Sequence, residues 1–330
     1  MGSKKIKWGI LGTGWIAHKF TTALQTVENS EICAVGSRTI ESAQKFAAEF
    51  NVPRAYGTYE ELVGDPDIDA IYIGTPHNMH VENTLLALNH NKNVLCEKPL
   101  GVNLKEATAL IEKAKEKNLF LMEALWSRFL PNIIKTKELI DSGEIGEVKL
   151  LTASFSILSD NGPEHRHYNI DLCGGTVLDT GIYNIFLSLL LLGKPKSFTA
   201  VAGLSEQGGD NSCSYIFKYE QDTLAVMYSS FLAETPVVAE IHGTKGKIIL
   251  EHFWFCPGNV RLMYRNGEEK TFEFNFKSNG YEFEAEEVAS CILAGKKQSD
   301  LWSWDDSLQL VSQMDSIRKM CGIIYPKHDL

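Results

Sequence analysis

The stretch that decides the fold is Ile6-Lys7-Trp8-Gly9-Ile10-Leu11-Gly12-Thr13-Gly14-Trp15-Ile16-Ala17, near the start of the chain. Its first six residues read as a strand, and apolar residues from Ile16 onward recur at helical spacing. Gly12, Gly14 and Ala17 make the turn between them a GxGxxA motif, in which the glycines allow a tight turn and a close backbone approach to a pyrophosphate. Because the motif follows a strand and opens a helix, it predicts a dinucleotide site. The expected contacts are Gly12, Thr13, Gly14, Trp15 and Ile16.

Strands and helices alternate through the first third of the chain. Apolar runs such as Ala70–Gly74 and Asn93–Cys96 read as strands buried on both faces, and amphipathic helices separate them. Strict alternation predicts parallel strands joined by right-handed crossovers. The fold class is therefore α/β, with a doubly wound Rossmann domain over residues 1–124.

The pattern changes after residue 124. Seven strands with short connections follow Lys196, and hairpin signals such as Asn266-Gly267 join them. With an earlier strand at Glu147–Ser156 and closing helices near Tyr281–Ala294 and Ser303–Cys321, this part reads as an α+β domain with a large, mainly antiparallel open sheet. We assign residues 125–330 to it, as the substrate-binding and dimerisation domain.

The end of the second strand bears on the choice of cofactor. An acid there would bind the ribose 2′-hydroxyl of NAD, but the residues are Gly36-Ser37-Arg38-Thr39. Ser37 can donate a hydrogen bond, and Arg38 offers a bidentate fork to a 2′-phosphate. The sequence therefore favours NADP over NAD; the alternative is that Arg38 is a solvated residue at a helix start.

The third predicted strand ends in Gly74-Thr75-Pro76 and is followed by His80. Ligands bind at the carboxyl ends of such strands, so Thr75 and Pro76 are expected to line the cofactor cleft. His80 is a candidate contact, with a purely structural hydrogen bond as the alternative.

Composition excludes several classes of function. A net charge of −10 disfavours nucleic-acid binding. The seven cysteines form no CxxC pair, so neither a disulfide framework nor a metal site is expected. Reduced thiols are typical of the cytoplasm, so we expect a cytoplasmic location. The most apolar helical run, Ile185–Leu192, is too short for a bilayer, which needs about 20 residues. No signal peptide is evident.

Further motifs identify a family resemblance. Glu97-Lys98-Pro99 ends the next strand and, with the glycine turn and Thr75-Pro76, resembles the glucose-fructose oxidoreductase / inositol dehydrogenase / MocA family. The segments Glu123–Pro131 and Gly174–Tyr183 are similar to those of its dimeric dihydrodiol dehydrogenase and NADP-dependent D-xylose dehydrogenase branch. The resemblance covers nearly the whole chain, although these motifs are poor guides to substrate.

The resemblance also implies roles for individual residues. The lysine of the EKP motif lies beside the substrate in this family, which points to Lys98. The branch replaces a histidine by a tyrosine acid/base, which points to Tyr183, and Asp179 lies one helical turn before it. The resemblance places Trp126 and Arg128 at the cleft, with interdomain packing as the alternative. Glu97 is assigned to the cofactor site, where it is expected to hold the lysine strand in place.

These residue types suit the oxidation of an alcohol, which gives up a hydride and a proton. A free phenol, with a pKa of about 10, is a poor base, and a nearby ammonium would lower that pKa. We therefore expect Lys98 and Tyr183 to meet at the reacting carbon, with Asp179 orienting the lysine or a substrate hydroxyl.

The expected function is a dehydrogenase that exchanges a hydride between NADP(H) and a CH–OH group of a small sugar, polyol or cyclic trans-diol. The alternatives are a lyase or glycosidase that uses bound cofactor transiently, and a regulatory protein that binds the cofactor without chemistry. A homodimer through the C-terminal sheet is expected from the resemblance.

Overall fold

The computed structural model describes residues 4–330, which form two compact units. One unit comprises the chain up to Phe129 together with Phe276–Leu308, and the other comprises Leu130–Asn275 and Gln309–Leu330. The sequence pattern placed Phe276–Leu308 in the second domain, because amphipathic periodicity does not say which sheet a helix covers. The domain boundary after residue 124 stays a prediction.

The first unit is built on a six-stranded sheet with all neighbours parallel. Its strands are β1 (Ile6–Leu11), β2 (Ser30–Gly36), β3 (Arg54–Tyr56), β4 (Ala70–Ile73), β5 (Asn93–Glu97) and β6 (Leu121–Ala124). They lie in the order β3-β2-β1-β4-β5-β6, the order of a doubly wound dinucleotide-binding fold. The predicted α/β class is confirmed.

Helices cover this sheet. They are α1 (Trp15–Leu24), α2 (Ile40–Phe50), α3 (Tyr59–Gly64), α4 (His80–Asn89) and α5 (Leu104–Lys117). From the C-terminal part of the chain, α8 (Glu282–Leu293) packs against α1 and β1. Asn103 caps the start of α5, since its Oδ1 accepts the N–H of Glu106 at 3.0 Å. The pair β3–α3 was missed because a three-residue strand is too short to show alternation.

The second unit is built on an eight-stranded sheet in the order β14-β13-β12-β11-β7-β10-β9-β8. Its strands are β7 (Val148–Ser156), β8 (Ser197–Leu204), β9 (Asp210–Lys218), β10 (Leu224–Ser230), β11 (Ala239–Gly243), β12 (Gly246–Leu250), β13 (Val260–Tyr264) and β14 (Glu269–Phe272). Only the β7–β10 pair is parallel among these strands of the described chain, so the predicted mainly antiparallel sheet is confirmed. The remaining α-helices within residues 4–330 are α6 (Pro131–Asp141), α7 (Ile182–Leu192), α9 (Trp304–Cys321) and α10 (Pro326–Asp329).

A five-residue π-helix, Val177–Gly181, leads directly into α7. Within the described residues, the 23-residue stretch Ile170–Leu192 is the one helical region long and apolar enough to cross a membrane by length and composition. It is longer than the run Ile185–Leu192 suggested from the sequence. Its apolar window is 83% buried inside the protein, which is the environment of a core helix.

Candidate active site

The glycine turn has the backbone geometry that its motif requires. Gly12 has φ +102°, a conformation that residues with a Cβ rarely adopt, and an added Cβ would lie 2.9 Å from the carbonyl oxygen of Gly74. Its N–H donates to the carbonyl of Gly36 at 2.9 Å. The turn therefore connects the ends of β1, β2 and β4 at the point where the strand order reverses.

The start of α1 is shaped to accept an anion. Gly14 is the N-cap and is exposed, and a Cβ added to it would meet no protein atom within 4 Å. The protein's own packing therefore does not require glycine here, whereas the close approach of a ligand would. The first turn of α1 carries no acidic residue, so its N–H groups and the helix dipole can hold a pyrophosphate. Thr13 and Ile16 are half-buried beside this turn, and Trp15 is exposed.

Close packing behind the turn explains the third position of the motif. Ala17 is fully buried, and its Cβ lies 3.6 Å from the place a Cβ on Gly74 would occupy. A larger residue at 17 would push α1 away from β4.

Of the three residues after β2, Ser37 lies in the interior, whereas Arg38 and Thr39 lie on the surface. Ser37 is buried, and its hydroxyl lies 3.2 Å from that of Thr13. Thr39 caps α2, since its hydroxyl accepts the N–H of Ser42 at 3.3 Å. Arg38 is exposed and has no hydrogen-bond or ion-pair partner within residues 4–330. Its guanidinium is therefore available to a phosphate at this edge of the sheet.

The end of β4 is held by His80. Thr75 is buried and Pro76 is exposed, whereas the His80 ring is completely buried. Its Nδ1 lies 2.7 Å from the carbonyl oxygen of Pro99 and its Nε2 lies 2.9 Å from that of Thr75. Burial lowers the pKa of His80. This geometry favours a role in holding the two loops over direct contact with a cofactor.

The backbone around Lys98 is fixed at successive residues. The N–H of Lys98 donates to Glu97 Oε2 at 3.2 Å, the carbonyl of Pro99 faces His80, and the N–H of Leu100 donates to Glu123 Oε1 at 2.9 Å. The Lys98 side chain is half-buried at the end of β5. The lysine is therefore presented from a rigid loop.

Glu97 belongs to a buried polar group that the sequence did not reveal. Its Oε1 accepts a 2.7 Å hydrogen bond from Tyr72, and both side chains are buried. Glu284, from α8, is also fully buried, and neither of its carboxyl oxygens has a hydrogen-bond partner within the described chain. Burial, and then the charge of Glu97, raise the pKa of Glu284 well above its ordinary value. Burial and the neighbouring carboxylate therefore favour the protonated form of Glu284.

Trp126 and Arg128 follow β6, and both are buried. The indole of Trp126 stacks on the ring of Tyr281, with ring centroids 4.3 Å apart. Burial lowers the pKa of Arg128, and the carboxylates of Asp306 and Glu287 partly offset this. Their place at the cleft stays a prediction, because the observed contacts are with the first unit's own residues.

In the second unit, Asp179 lies within the π-helix and Tyr183 in the first turn of α7, and both are buried. Asp179 Oδ2 lies 3.2 Å from Nη1 of Arg166 and 3.8 Å from Nε2 of His167. The Tyr183 ring packs on Phe255, with centroids 4.7 Å apart. Arg166 and His167, from the loop that follows β7, therefore contact Asp179 directly.

Comparison with known proteins agrees with this arrangement. Residues 6–125 match the GFO_IDH_MocA oxidoreductase family with an NAD-binding Rossmann fold, and residues 133–249 match the GFO/IDH/MocA C-terminal domain. Trans-1,2-dihydrobenzene-1,2-diol dehydrogenase of Danio rerio is 40% identical over 97% of this chain and 98% of its own length. The human protein of the same name is 32% identical, over 98% of both chains.

Solved structures show the same fold. A 3-ketoreductase from Actinomadura kijaniata, in complex with NADP and TDP-benzene, superposes with a TM-score of 0.85 at 26% identity, covering 96% of this chain and 98% of its own.

The fold and the glycine turn define an NAD(P)-dependent oxidoreductase, and the family match makes it a dehydrogenase that acts on CH–OH groups. The chain belongs to the GFO/IDH/MocA family.

Proposed function

We propose that this chain is an NADP-dependent dehydrogenase that acts on a CH–OH group of a small sugar, polyol or cyclic trans-diol. The observation that carries the proposal is the presentation of Lys98 at the end of β5, with the backbone fixed at Lys98, Pro99 and Leu100. Because these hydrogen bonds fix the loop, the lysine side chain is well placed to stabilise charge on a reacting oxygen. The dihydrodiol dehydrogenase names of the relatives support the substrate class.

The cofactor assignment rests on the residues around the glycine turn. The exposed backbone of Gly14 and the open first turn of α1 would hold the pyrophosphate. Arg38 would pair with a 2′-phosphate, since it is exposed and uncommitted within residues 4–330. When bound, the nicotinamide accepts or returns the hydride.

The chain's own residues then handle the proton and the charge on oxygen. In the oxidation direction, the Tyr183 phenolate takes the hydroxyl proton as the C–H hydride leaves the same carbon. The Lys98 ammonium stabilises the negative charge that develops on the oxygen. Asp179 orients a substrate hydroxyl, and its contact with Arg166 limits the rotamers available to it.

The open face of the second unit's sheet supports a homodimer. Alternate residues of β8, β9 and β10 are exposed and apolar, namely Val201, Ile216, Leu224, Val226 and Tyr228. We propose that a second copy of the chain covers them, because contiguous apolar patches of this kind are rarely left in water. Phe231, which directly follows β10, is completely buried and does not belong to this face.

The seven cysteines are free thiols in the described chain, which supports a reducing, cytoplasmic location.

The test of the proposed function is a substrate panel of aldoses, polyols and cyclic trans-diols, each with NADP and with NAD, followed by the absorbance of reduced nicotinamide. We expect turnover with at least one member and a higher kcat/KM with NADP. Tight NADP binding without turnover on any member would overturn the proposal.

A further inference from the structure

A chain of buried hydroxyl groups lies beneath the π-helix of the second unit. Asp210, the first residue of β9, is buried, and its Oδ2 accepts the N–H of Val177 at 3.0 Å and the hydroxyl of Thr176. The Ser229 hydroxyl donates to Thr176 Oγ1 at 2.9 Å, and the Tyr215 hydroxyl lies 2.6 Å from Ser229 Oγ. The network thus runs from Asp210 on β9 through Ser229 on β10 and back to Tyr215 on β9.

The two ends of this network meet the two ends of the π-helix. Asp210 holds Val177, at its first residue. Tyr215 contacts Gly181, its last residue, so closely that a Cβ there would collide with the phenol oxygen. The glycine in Asp179-Thr180-Gly181 is therefore required by the Tyr215 hydroxyl. The three residues between Val177 and Gly181 include Asp179, and Tyr183 follows within the next turn.

A π-helical turn needs such support because it is rarely stable by itself, and π-turns in proteins occur frequently at functional sites. An α-helical turn in its place would rotate every residue on one side of it relative to the other. The orientation of Asp179 with respect to Tyr183 therefore depends on the turn staying π-helical.

We propose that Asp210 and Tyr215 are positioning residues: they hold the π-turn that orients the acid/base residue Tyr183 and its neighbour Asp179. This inference rests on the proposed function of Tyr183. Neither residue is assigned a step in the chemistry.

The chain offers a matched control on the same helix. The Ser188 hydroxyl, farther along α7, lies 2.6 Å from the hydroxyl of Tyr219, and both are buried. This pair has the same two chemical groups at the same distance as Ser229 and Tyr215, and it links α7 to the segment that follows β9. It does not touch the π-turn. Removing the Tyr219 hydroxyl therefore reports the cost of losing a buried phenol–serine hydrogen bond alone.

The experiment compares Tyr215→Phe with Tyr219→Phe. We expect similar losses of melting temperature, but a fall in kcat of about tenfold to a hundredfold only in Tyr215→Phe, the range known for small displacements of catalytic groups. The pH profile of kcat should shift in Tyr215→Phe and not in Tyr219→Phe. NADP affinity should be unchanged in both. Equal effects of the two variants on kcat and its pH profile would overturn the inference.

A second measurement does not depend on activity. Amide hydrogen exchange of Asp210→Asn should show faster exchange confined to peptides that contain residues 177–183, because the asparagine amide replaces one carboxylate oxygen. Exchange that rises evenly over the second unit, or not at all at residues 177–183, would contradict the inference even if no substrate were turned over. An inactive wild-type protein with the expected exchange pattern would overturn only the proposed function.

Discussion

Tyr72 donates a 2.7 Å hydrogen bond to Glu97, and this contact fixes the carboxylate that precedes Lys98. Because Tyr72 lies on β4 and Glu97 ends β5, the bond crosses between neighbouring strands within the protein interior. Burial, and then the charge of the same carboxylate, raise the pKa of Glu284 on α8. The carboxylate that precedes the lysine loop therefore also favours the protonated form of the neighbouring Glu284.

The first prediction concerns Glu284 and pH. The pKa of Glu284 is higher in the folded protein than in the unfolded chain. At a pH between these two pKa values, folding therefore takes up a proton. As the pH rises from the unfolded pKa toward the folded pKa, the protein loses the stability that Glu284 contributes. We expect Glu284→Gln to flatten this dependence, removing a slope of up to about 1.4 kcal/mol per pH unit. The slope is measured by urea unfolding at several pH values from mildly acidic to mildly alkaline. A variant with the wild-type slope would show that Glu284 is ionised in the fold.

The second prediction concerns the lysine. Lys98→Met should lower kcat by about 10²- to 10⁴-fold while leaving the Kd for NADP unchanged, because the ammonium acts on the reacting oxygen. Steady-state kinetics and fluorescence titration with NADPH measure the two quantities. Lys105→Met, at an exposed position on α5, is the control and should keep wild-type turnover. Unchanged kcat in Lys98→Met would remove Lys98 from the mechanism.

The third prediction concerns cofactor choice. Arg38→Ala should raise the Kd for NADP by about 10- to 100-fold, the loss expected for a charge-assisted hydrogen bond, and leave the Kd for NAD unchanged. Lys45→Ala removes the same charge from an exposed position on α2 and controls for long-range attraction. If both variants weaken NADP equally, Arg38 makes no specific contact with the 2′-phosphate.

The fourth prediction concerns Glu123, which supports the loop after Lys98. Its two carboxyl oxygens accept the N–H of Leu100, the indole N–H of Trp302 at 3.1 Å and the hydroxyl of Ser307 at 2.7 Å. In Glu123→Gln the side-chain NH₂ group, which can only donate, replaces one of the accepting carboxyl oxygens. The variant should therefore lower the free energy of unfolding by about 2–3 kcal/mol.

Ser307→Ala is the comparison for Glu123→Gln. It removes a single partner of the carboxylate and should lower the free energy of unfolding by about 1 kcal/mol. Chemical denaturation distinguishes the two losses. Equal values would mean that the remaining donors find other acceptors.

The fifth prediction concerns self-association. Val226 stands on β10 opposite Ile216, both exposed on the open face of the sheet. Val226→Glu should convert a dimer to monomers at micromolar protein, as measured by sedimentation, because the charge would be buried at the interface. Leu293→Glu introduces the same charge at an exposed apolar position on α8 and should leave the assembly intact. A wild-type protein that sediments as a monomer would contradict the proposed dimer.

The sequence predicted what is local or periodic. The GxGxxA turn identified the fold, and its small residues have the expected geometry: Gly12 has a positive φ, Ala17 packs closely against β4, and the exposed Gly14 leaves room for a ligand. The strands of the second sheet were found from alternation, and their bounds differ from the structure by only a few residues. The branch tyrosine and the EKP lysine were marked by resemblance, and their roles stay predictions.

The sequence pattern did not predict polar contacts between residues that are far apart in the chain. Glu284 stands 187 residues after Glu97, and a glutamate on an amphipathic helix normally faces water. Asp210 begins a strand whose pattern marks only its apolar residues, so nothing pointed to a carboxylate at the start of the π-helix. Buried polar pairs follow from the three-dimensional packing of elements, and periodicity gives no information on which elements meet.

The return of Phe276–Leu308 to the first unit has a consequence for synthesis on the ribosome. The Glu123 carboxylate is made long before its donors Trp302 and Ser307, and the sheet is made long before α8. Since domains fold as units during translation, the nascent nucleotide-binding half must wait, incompletely covered, while nearly all of the other half emerges. Chains released early by a premature stop codon would therefore be substrates for chaperones and proteases rather than functional fragments.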